Sequence, residues 1–184
     1  MSISTTRGDR GSTQVGSGRV SKSCPEVEAL GVLDECGAAI GLARALAPRH
    51  ATRVREGGER LQRALFAVSA GIGAPPGFEE KIPEGFVDRL TAEVRELEGR
   101  EGMLSGWALP GEHVGGAAFD VARTACRRAE RVLVRLHEAT GTPGPEALAL
   151  INRMSDVLWL YGRLLELESG APNALSAPDG NPDR

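Results

Sequence analysis

Arg123, Arg127, Arg131 and Arg135 recur at every fourth residue, and Arg128 adds a fifth cation beside them. On a helix the four fall within one arc of about 120°, with Ala125, Ala129, Val132 and Leu136 on the opposite side. Like charges so spaced repel by a few tenths of a kcal/mol per pair, and only Asp120 and Glu130 are close in sequence. Such a stripe is either a solvated face neutralised by acids on neighbouring helices, or a site for a polyphosphate or a partner subunit.

A second segment bears on that choice. Gly8-Asp9-Arg10-Gly11-Ser12-Thr13 offers consecutive backbone N–H groups, two hydroxyls and conformationally free glycines, a chemistry suited to cradling phosphates. A flexible Gly/Ser leader has the same composition. The segment is not a Walker loop, because Gly11 to Gly16 has the GxxxxG spacing but Ser17 stands where the lysine is required. Cys24, Cys36 and Cys126 form no CxxC pair and the three histidines are scattered. Neither a zinc clamp nor a disulfide framework is indicated, so no protein-bound metal is expected.

The elements that must position these residues follow from periodicity and breakers. Residues 2–23 are rich in Ser, Thr and Gly without an apolar period, and read as an irregular arm. Pro25 suits a first helical turn, and a helix runs from it to near Pro48 with apolar residues almost all round, as in a central bundle helix. A second helix is expected over 49–70 with Leu61, Leu65, Phe66 and Val68 facing inward, weakened midway by Gly57-Gly58. After a Gly/Pro loop at 71–85, a short helix covers about 84–98 with Phe86, Leu90, Val94 and Leu97 at helical spacing. A loop over 99–116 carries Gly106-Trp107-Ala108-Leu109-Pro110-Gly111, and two long helices follow at about 117–140 and 144–168. The expected fold is an all-α, up-down bundle of four to five helices with an N-terminal arm, a single domain over 1–170. The tail at 171–184 is polar and Pro-rich, and reads as disordered.

Composition narrows the function classes. Lys plus Arg number 22 and Asp plus Glu 25, a net charge of −3, so a chain-wide attraction to nucleic acid or anionic lipid is excluded. Aromatics are only 4%, too few for a base-stacking surface. No apolar run approaches the roughly 18 residues of a membrane span, and residues 1–22 lack a signal-peptide core. A soluble cytoplasmic protein is the expectation. Glycine, at 24 of 184 residues, is about twice its usual share.

The motifs together resemble the PduO-type ATP:cob(I)alamin adenosyltransferases. The resemblance rests on the arm Thr5 to Thr13, on Arg19-Val20-Ser21-Lys22 and Glu28-Ala29-Leu30-Gly31-Val32-Leu33-Asp34-Glu35, and on Leu109-Pro110-Gly111. It continues through Ala122-Arg123-Thr124-Ala125-Cys126-Arg127-Arg128-Ala129-Glu130-Arg131 and Ile151-Asn152-Arg153-Met154-Ser155-Asp156. It implies a homotrimer with active sites between subunits, where the 5′-deoxyadenosyl group of ATP passes to the cobalt of cob(I)alamin and triphosphate is released. ATP with Mg2+ and cobalamin are the implied substrates. A flavin reductase as electron donor and a B12-dependent client enzyme are the implied partners.

Residue by residue, the resemblance places ATP on Gly8, Asp9, Gly11, Ser12, Thr13 and Lys22 of the arm, and on Arg127, Glu130 and Asn152. It places the corrin against Trp107, Leu109 and Pro110, with Arg127 and Trp107 as the catalytic pair, and an intersubunit ion pair between Asp34 and Arg123. The residues alone allow plainer readings: a bundle hydrogen bond for Asn152, an intrachain ion pair for Asp34, a plug at the bundle end for Trp107, and ordinary core for Trp159. The chain departs from the family pattern at Thr6 and Arg7, Gly37, Arg63 and Ala64, Trp107, Glu112 and Asp120. The core helix motifs are kept, so an active adenosyltransferase is the expectation; the altered arm and Glu112 favour the alternative of a divergent, non-catalytic homologue that binds cobalamin or ATP as carrier, sensor or partner subunit.

Overall fold

The computed structural model describes residues 6–75, 77–78, 81–104 and 109–171. Among them stand two short strands, β1 (Ser12–Val15) and β2 (Gly18–Ser21), and five helices: α1 (Pro25–Leu46), α2 (Thr52–Gly73), α3 (Phe86–Glu98), α4 (Val114–Thr140) and α5 (Pro145–Glu168). The helical bundle is the expected fold. The expected tail lies outside the described residues beyond Ala171.

The arm differs from its irregular reading. β1 and β2 pair antiparallel, with Thr13 opposite Val20 and Val15 opposite Gly18. Gly16-Ser17 makes the two-residue turn, with Gly16 at φ 56°, and a glycine at the first central position suits the twist of adjacent strands. The Gly16 N–H donates to Gly73 O at 2.9 Å, which ties the hairpin tip to the last turn of α2.

α1 begins at Pro25 and stops before Pro48 as expected, with Glu26 and Glu28 in its first turn, where acids favour the helix dipole. It is not the central helix. Its inner face is Ala29, Val32, Leu33, Cys36, Ile40 and Ala43, whereas Leu42 is 55% and Leu46 40% exposed. The central position belongs to α5, which packs on α2, α3 and α4 and buries Leu150, Ile151, Met154, Val157, Leu158, Leu160, Tyr161, Leu164 and Leu165.

On α2, Leu61, Leu65 and Val68 are buried, but Phe66 is 61% exposed. The inward arc of α2 runs through Leu61, Ala64, Leu65 and Val68, and Phe66, a further 100° round from Leu65, falls outside it. The glycine pair of α2 is a packing requirement rather than a weakness. A Cβ on Gly57 would overlap the Tyr161 hydroxyl, and one on Gly58 would lie 2.6 Å from Arg44 Cγ. The Tyr161 hydroxyl donates to Glu93 Oε1 at 2.7 Å. Burial pushes its phenol up, and the Glu93 charge adds to the shift.

α4 starts three residues earlier than its apolar period indicated. His113 caps it, with Nδ1 accepting from the Gly116 N–H at 3.1 Å. Gly115 and Gly116, read in sequence as loop, are therefore in the first turn and buried. A Cβ on Gly116 would come within 3.0 Å of Glu166 Oε1 and 3.2 Å of Gly162 O, and one on Gly162 within 3.1 Å of Gly116 O. The glycines let the two backbones approach.

Gly57→Ala is expected to lower the unfolding free energy by about 1–3 kcal/mol, the usual range for overpacking a filled interior. Urea denaturation monitored by circular dichroism checks this; an unchanged midpoint would show that Tyr161 relocates freely.

Candidate active site

The arginine stripe lies on the exposed side of α4, opposite its buried face of Ala122, Cys126, Ala129, Leu133 and Leu136. Arg123 Nε donates to Asp120 Oδ1 at 2.7 Å on the same helix, and Arg128 pairs with Glu35 of α1. Neutralisation within the chain reaches these two cations. Among the described residues Arg127, Arg131 and Arg135 have no ion-pair partner.

α5 runs beside this stripe. Asn152 Nδ2 donates to Glu130 Oε1 at 2.8 Å, so the amide that is costly in mid-helix holds a carboxylate of α4. Glu130 stands one turn from Arg127 on α4. Cys126 Sγ lies 3.4 Å from Ile151 O. A hydrogen bond with Cys36, and then burial, hold the Cys126 thiol well above its ordinary range, so it is inert packing behind the polar cluster.

A cleft of about 230 Å3 opens between the two helices and the end of α3, lined by Glu98, Arg123, Arg127, Ser155, Asp156, Trp159 and Leu160. Trp159 is half-buried there and packs against the core from its edge. Sequence reading treats it as core because its neighbours at 157, 158 and 160 are apolar. Its place one turn beyond Ser155 and Asp156 was the available signal for a cleft position.

The arm folds into a compact cradle. Asp9 N–H donates to Thr6 O and Gly11 N–H to Gly8 O, at 3.2 and 3.1 Å, and Lys22 N–H closes on Gly11 O at 2.8 Å. Lys22 Nζ rests against Gly8, where a Cβ would lie 3.1 Å from it. Gly8, Asp9, Gly11, Ser12, Thr13 and Lys22 are thus brought together. Arg19, not singled out from sequence, laces the cradle: its Nη2 donates to Arg7 O at 2.6 Å and to Ser12 Oγ. Its signal was the alternation of Arg19, Val20 and Ser21, which puts Arg19 and Ser21 on one face of a strand.

The remaining expected residues are dispersed. Asp34 is exposed on α1 and has no ion-pair partner among the described residues. Leu109 and Pro110 are exposed. Trp107 lies outside the described residues. No group of three or more His, Cys, Asp or Glu converges among those described, and none of their helices is long and apolar enough to cross a membrane.

The described residues thus form a helical bundle with three arginines that lack an ion-pair partner on one exposed face, a polar Glu–Asn pair beside them and a glycine-rich hairpin cradle. The cobalamin adenosyltransferase family model matches residues 3–165, and the chain belongs to that family. It is 36% identical over 170 residues to the corrinoid adenosyltransferase PduO of Citrobacter freundii, covering 89% of this chain and 49% of the relative. Against the PduO of Salmonella typhimurium it is 34% identical, covering 95% of this chain and 53% of the relative. The chain thus spans about half the length of these two curated relatives. A cobalamin adenosyltransferase of Cupriavidus metallidurans is 32% identical, with 94% of this chain and 92% of the relative covered. A variant of the PduO-type ATP:corrinoid adenosyltransferase from Lactobacillus reuteri, solved with cobalamin and ATP, superposes with a TM-score of 0.85 at 27% identity, covering 95% and 98% of the two chains.

Arg127 is exposed and unpaired, so Arg127→Ala is expected to change the unfolding free energy by less than about 0.5 kcal/mol. Arg163→Met, which strands the buried Glu166 carboxylate, is expected to cost about 3–5 kcal/mol. Chemical denaturation of the two variants separates a face kept for a ligand from one kept for stability.

Proposed function

We propose that the protein is an ATP:corrinoid adenosyltransferase. The observation that carries this reading is the set of uncompensated cations around Arg127, beside the Glu130–Asn152 pair, in a chain of this family. The nucleophile is the lone pair of Co(I) in the substrate cob(I)alamin. It attacks C5′ of ATP in line, the C5′–O bond breaks, and its electron pair leaves with triphosphate while cobalt becomes Co(III). No general base is required. The protein must hold the two reactants in line and stabilise charge on the leaving group.

In this reading Gly8, Asp9, Gly11, Ser12, Thr13 and Lys22 hold the phosphates, and Mg2+ enters on the phosphate oxygens. Arg127 faces the charge that grows on the triphosphate, and Glu130 and Asn152 orient the nucleoside. Arg19 keeps the Ser12 hydroxyl and the Arg7 carbonyl in place, a positioning role. Trp107, Leu109 and Pro110 form an apolar wall against the corrin, and Trp159 adds a flat edge at the arginine cleft. Loss of an axial donor at cobalt against such a wall eases reduction of cob(II)alamin, which a flavin reductase supplies.

The assembly in this reading is a cytoplasmic homotrimer that serves a B12-dependent enzyme, with residues 1–170 acting as one domain. The exposed Leu42, Leu46 and Phe66 support association through α1 and α2, since apolar side chains at a surface favour burial against a partner. The free Asp34 supports an ion pair with Arg123 of a neighbouring subunit. Asp120 leaves the terminal guanidinium nitrogens of Arg123 available for it, because it takes only Nε.

Mixing protein, MgATP and chemically reduced cob(I)alamin is expected to consume the cob(I)alamin absorbance and release triphosphate, and Arg127→Ala to slow this by about 100-fold. Tight ATP binding with no turnover would overturn the enzyme reading in favour of a carrier or sensor. Trp107→Ala is expected to impair cob(II)alamin reduction more than transfer to preformed cob(I)alamin. Equal losses in both assays would remove Trp107 from the corrin wall.

A further inference from the structure

α2 and α3 are bridged by side chains across a groove. Arg53 pairs with both oxygens of Glu96, and Arg60 Nη2 lies 3.3 Å from Glu93 Oε2. Beyond these bridges the groove widens into a cavity of about 550 Å3, within the range of small-molecule sites. Ala64, Pro83, Phe86 and Leu90 form its floor, and Arg60, Arg63, Lys81 and Arg89 stand round it.

Among the described residues Arg60, Arg63 and Arg89 face one carboxylate there, Glu93, in a chain whose net charge is −3. That carboxylate is already committed: Oε1 accepts from the buried Tyr161 hydroxyl at 2.7 Å and Oε2 faces Arg60. Arg63 spends Nε and Nη2 on Glu59 and keeps its other donors. Arg89 has no acidic partner among the described residues. Its guanidinium lies over the Phe86 ring, 5.5 Å from the centroid, with Nη1 donating to Glu84 O at 2.8 Å. Ring and carbonyl fix the guanidinium plane at the cavity wall and leave most of its donors unspent.

We propose that this α2–α3 cavity binds a small amphipathic anion, one acidic head group on a flat or aliphatic body. The head group lies between Arg60 and Arg89, and the body lies on Ala64, Phe86 and Leu90. Guanidinium donors in a partly desolvated cleft make charge-assisted hydrogen bonds to such a head, and the apolar floor selects against free inorganic phosphate. The site is built from helices other than those carrying Arg127, Glu130 and Asn152, so it is independent of the adenosyltransferase reading.

The probe is 1-anilinonaphthalene-8-sulfonate, titrated by fluorescence into the full chain, with its uncharged analogue N-phenyl-1-naphthylamine as control. Saturable binding of about one probe per chain is expected, at least about tenfold tighter than the analogue, and unaffected by saturating MgATP. The double variant Arg60→Gln/Arg89→Gln is expected to weaken it at least about tenfold. Arg63→Glu, at an exposed position, provides a second variant with an intact core and is expected to weaken it severalfold. Displacement by 1-naphthoate or by 1-naphthyl phosphate supports the site and tells a carboxylate from a phosphate head. Displacement by neither, displacement by MgATP, equal affinity for the uncharged analogue, or unchanged affinity in Arg63→Glu would overturn the proposal.

Discussion

The close approach of α4 and α5 at Gly116 and Gly162 is the constraint on which the rest of the site depends. A side chain at either position would meet the backbone of the opposite helix at 3.1–3.2 Å. The two helices run antiparallel, so a contact fixed at the start of α4 and the end of α5 fixes the register along both. Further along, Cys126 meets the carbonyl of Ile151 and Glu130 meets Asn152. The polar pair beside Arg127 is therefore set by two glycines more than two turns away. A ridge of larger residues there would separate the helices to a common packing distance of roughly 8–10 Å and loosen that register.

Charge reinforces the same contact. Arg163 and Glu166 pair within the buried face of α5, and Glu166 lies against Gly116 in the first turn of α4, where free N–H groups favour an anion. Burial lowers the Arg163 pKa, and the Asp120 charge opposes the shift. Asp120 also holds Nε of Arg123. One carboxylate thus connects the buried pair to the first arginine of the exposed stripe. The stabilisation gained is modest, because desolvation offsets much of a buried pair's attraction; the gain is in geometry.

Periodicity made the helices legible because each buries a stripe at helical spacing, and the arginine face of α4 followed from the same arithmetic. What escaped sequence reading depends on contacts between elements. Gly115 and Gly116 resemble a loop until the approach of α5 is known, and Gly57 looks like a weak point until Tyr161 is placed over it. Apolar residues all round α1 look central, yet Leu42 and Leu46 are exposed, and the truly central helix is α5. Phe66 next to Leu65 shows how one residue on a helix separates core from surface. The hairpin was readable, since Gly16-Ser17 between two short alternating runs is a turn signal, but the weight of Ser, Thr and Gly in the arm obscured it. Arg127 followed from the arginine spacing, Glu130 and Asn152 from a resemblance in motif, and the structure pairs those two across α4 and α5.

The arm's hydrogen bonds run within itself and to Gly73 of α2, whereas the uncompensated arginines and the Glu130–Asn152 pair sit on α4 and α5. The glycine-rich cradle of the arm and the cationic face of α4 make a single site, as the proposed function requires, if subunits pack head to tail in a closed ring. Subunit complementation tests this most directly. Lys22→Ala and Arg127→Ala chains, each strongly impaired alone, are unfolded together and refolded as mixed assemblies, and triphosphate release is measured. Sites shared between neighbours would restore activity to about a quarter of the unmodified level, because one interface in four then combines an intact arm with an intact wall. Mixed assemblies that form and gain no activity over the single variants would contradict a site built across the subunit boundary.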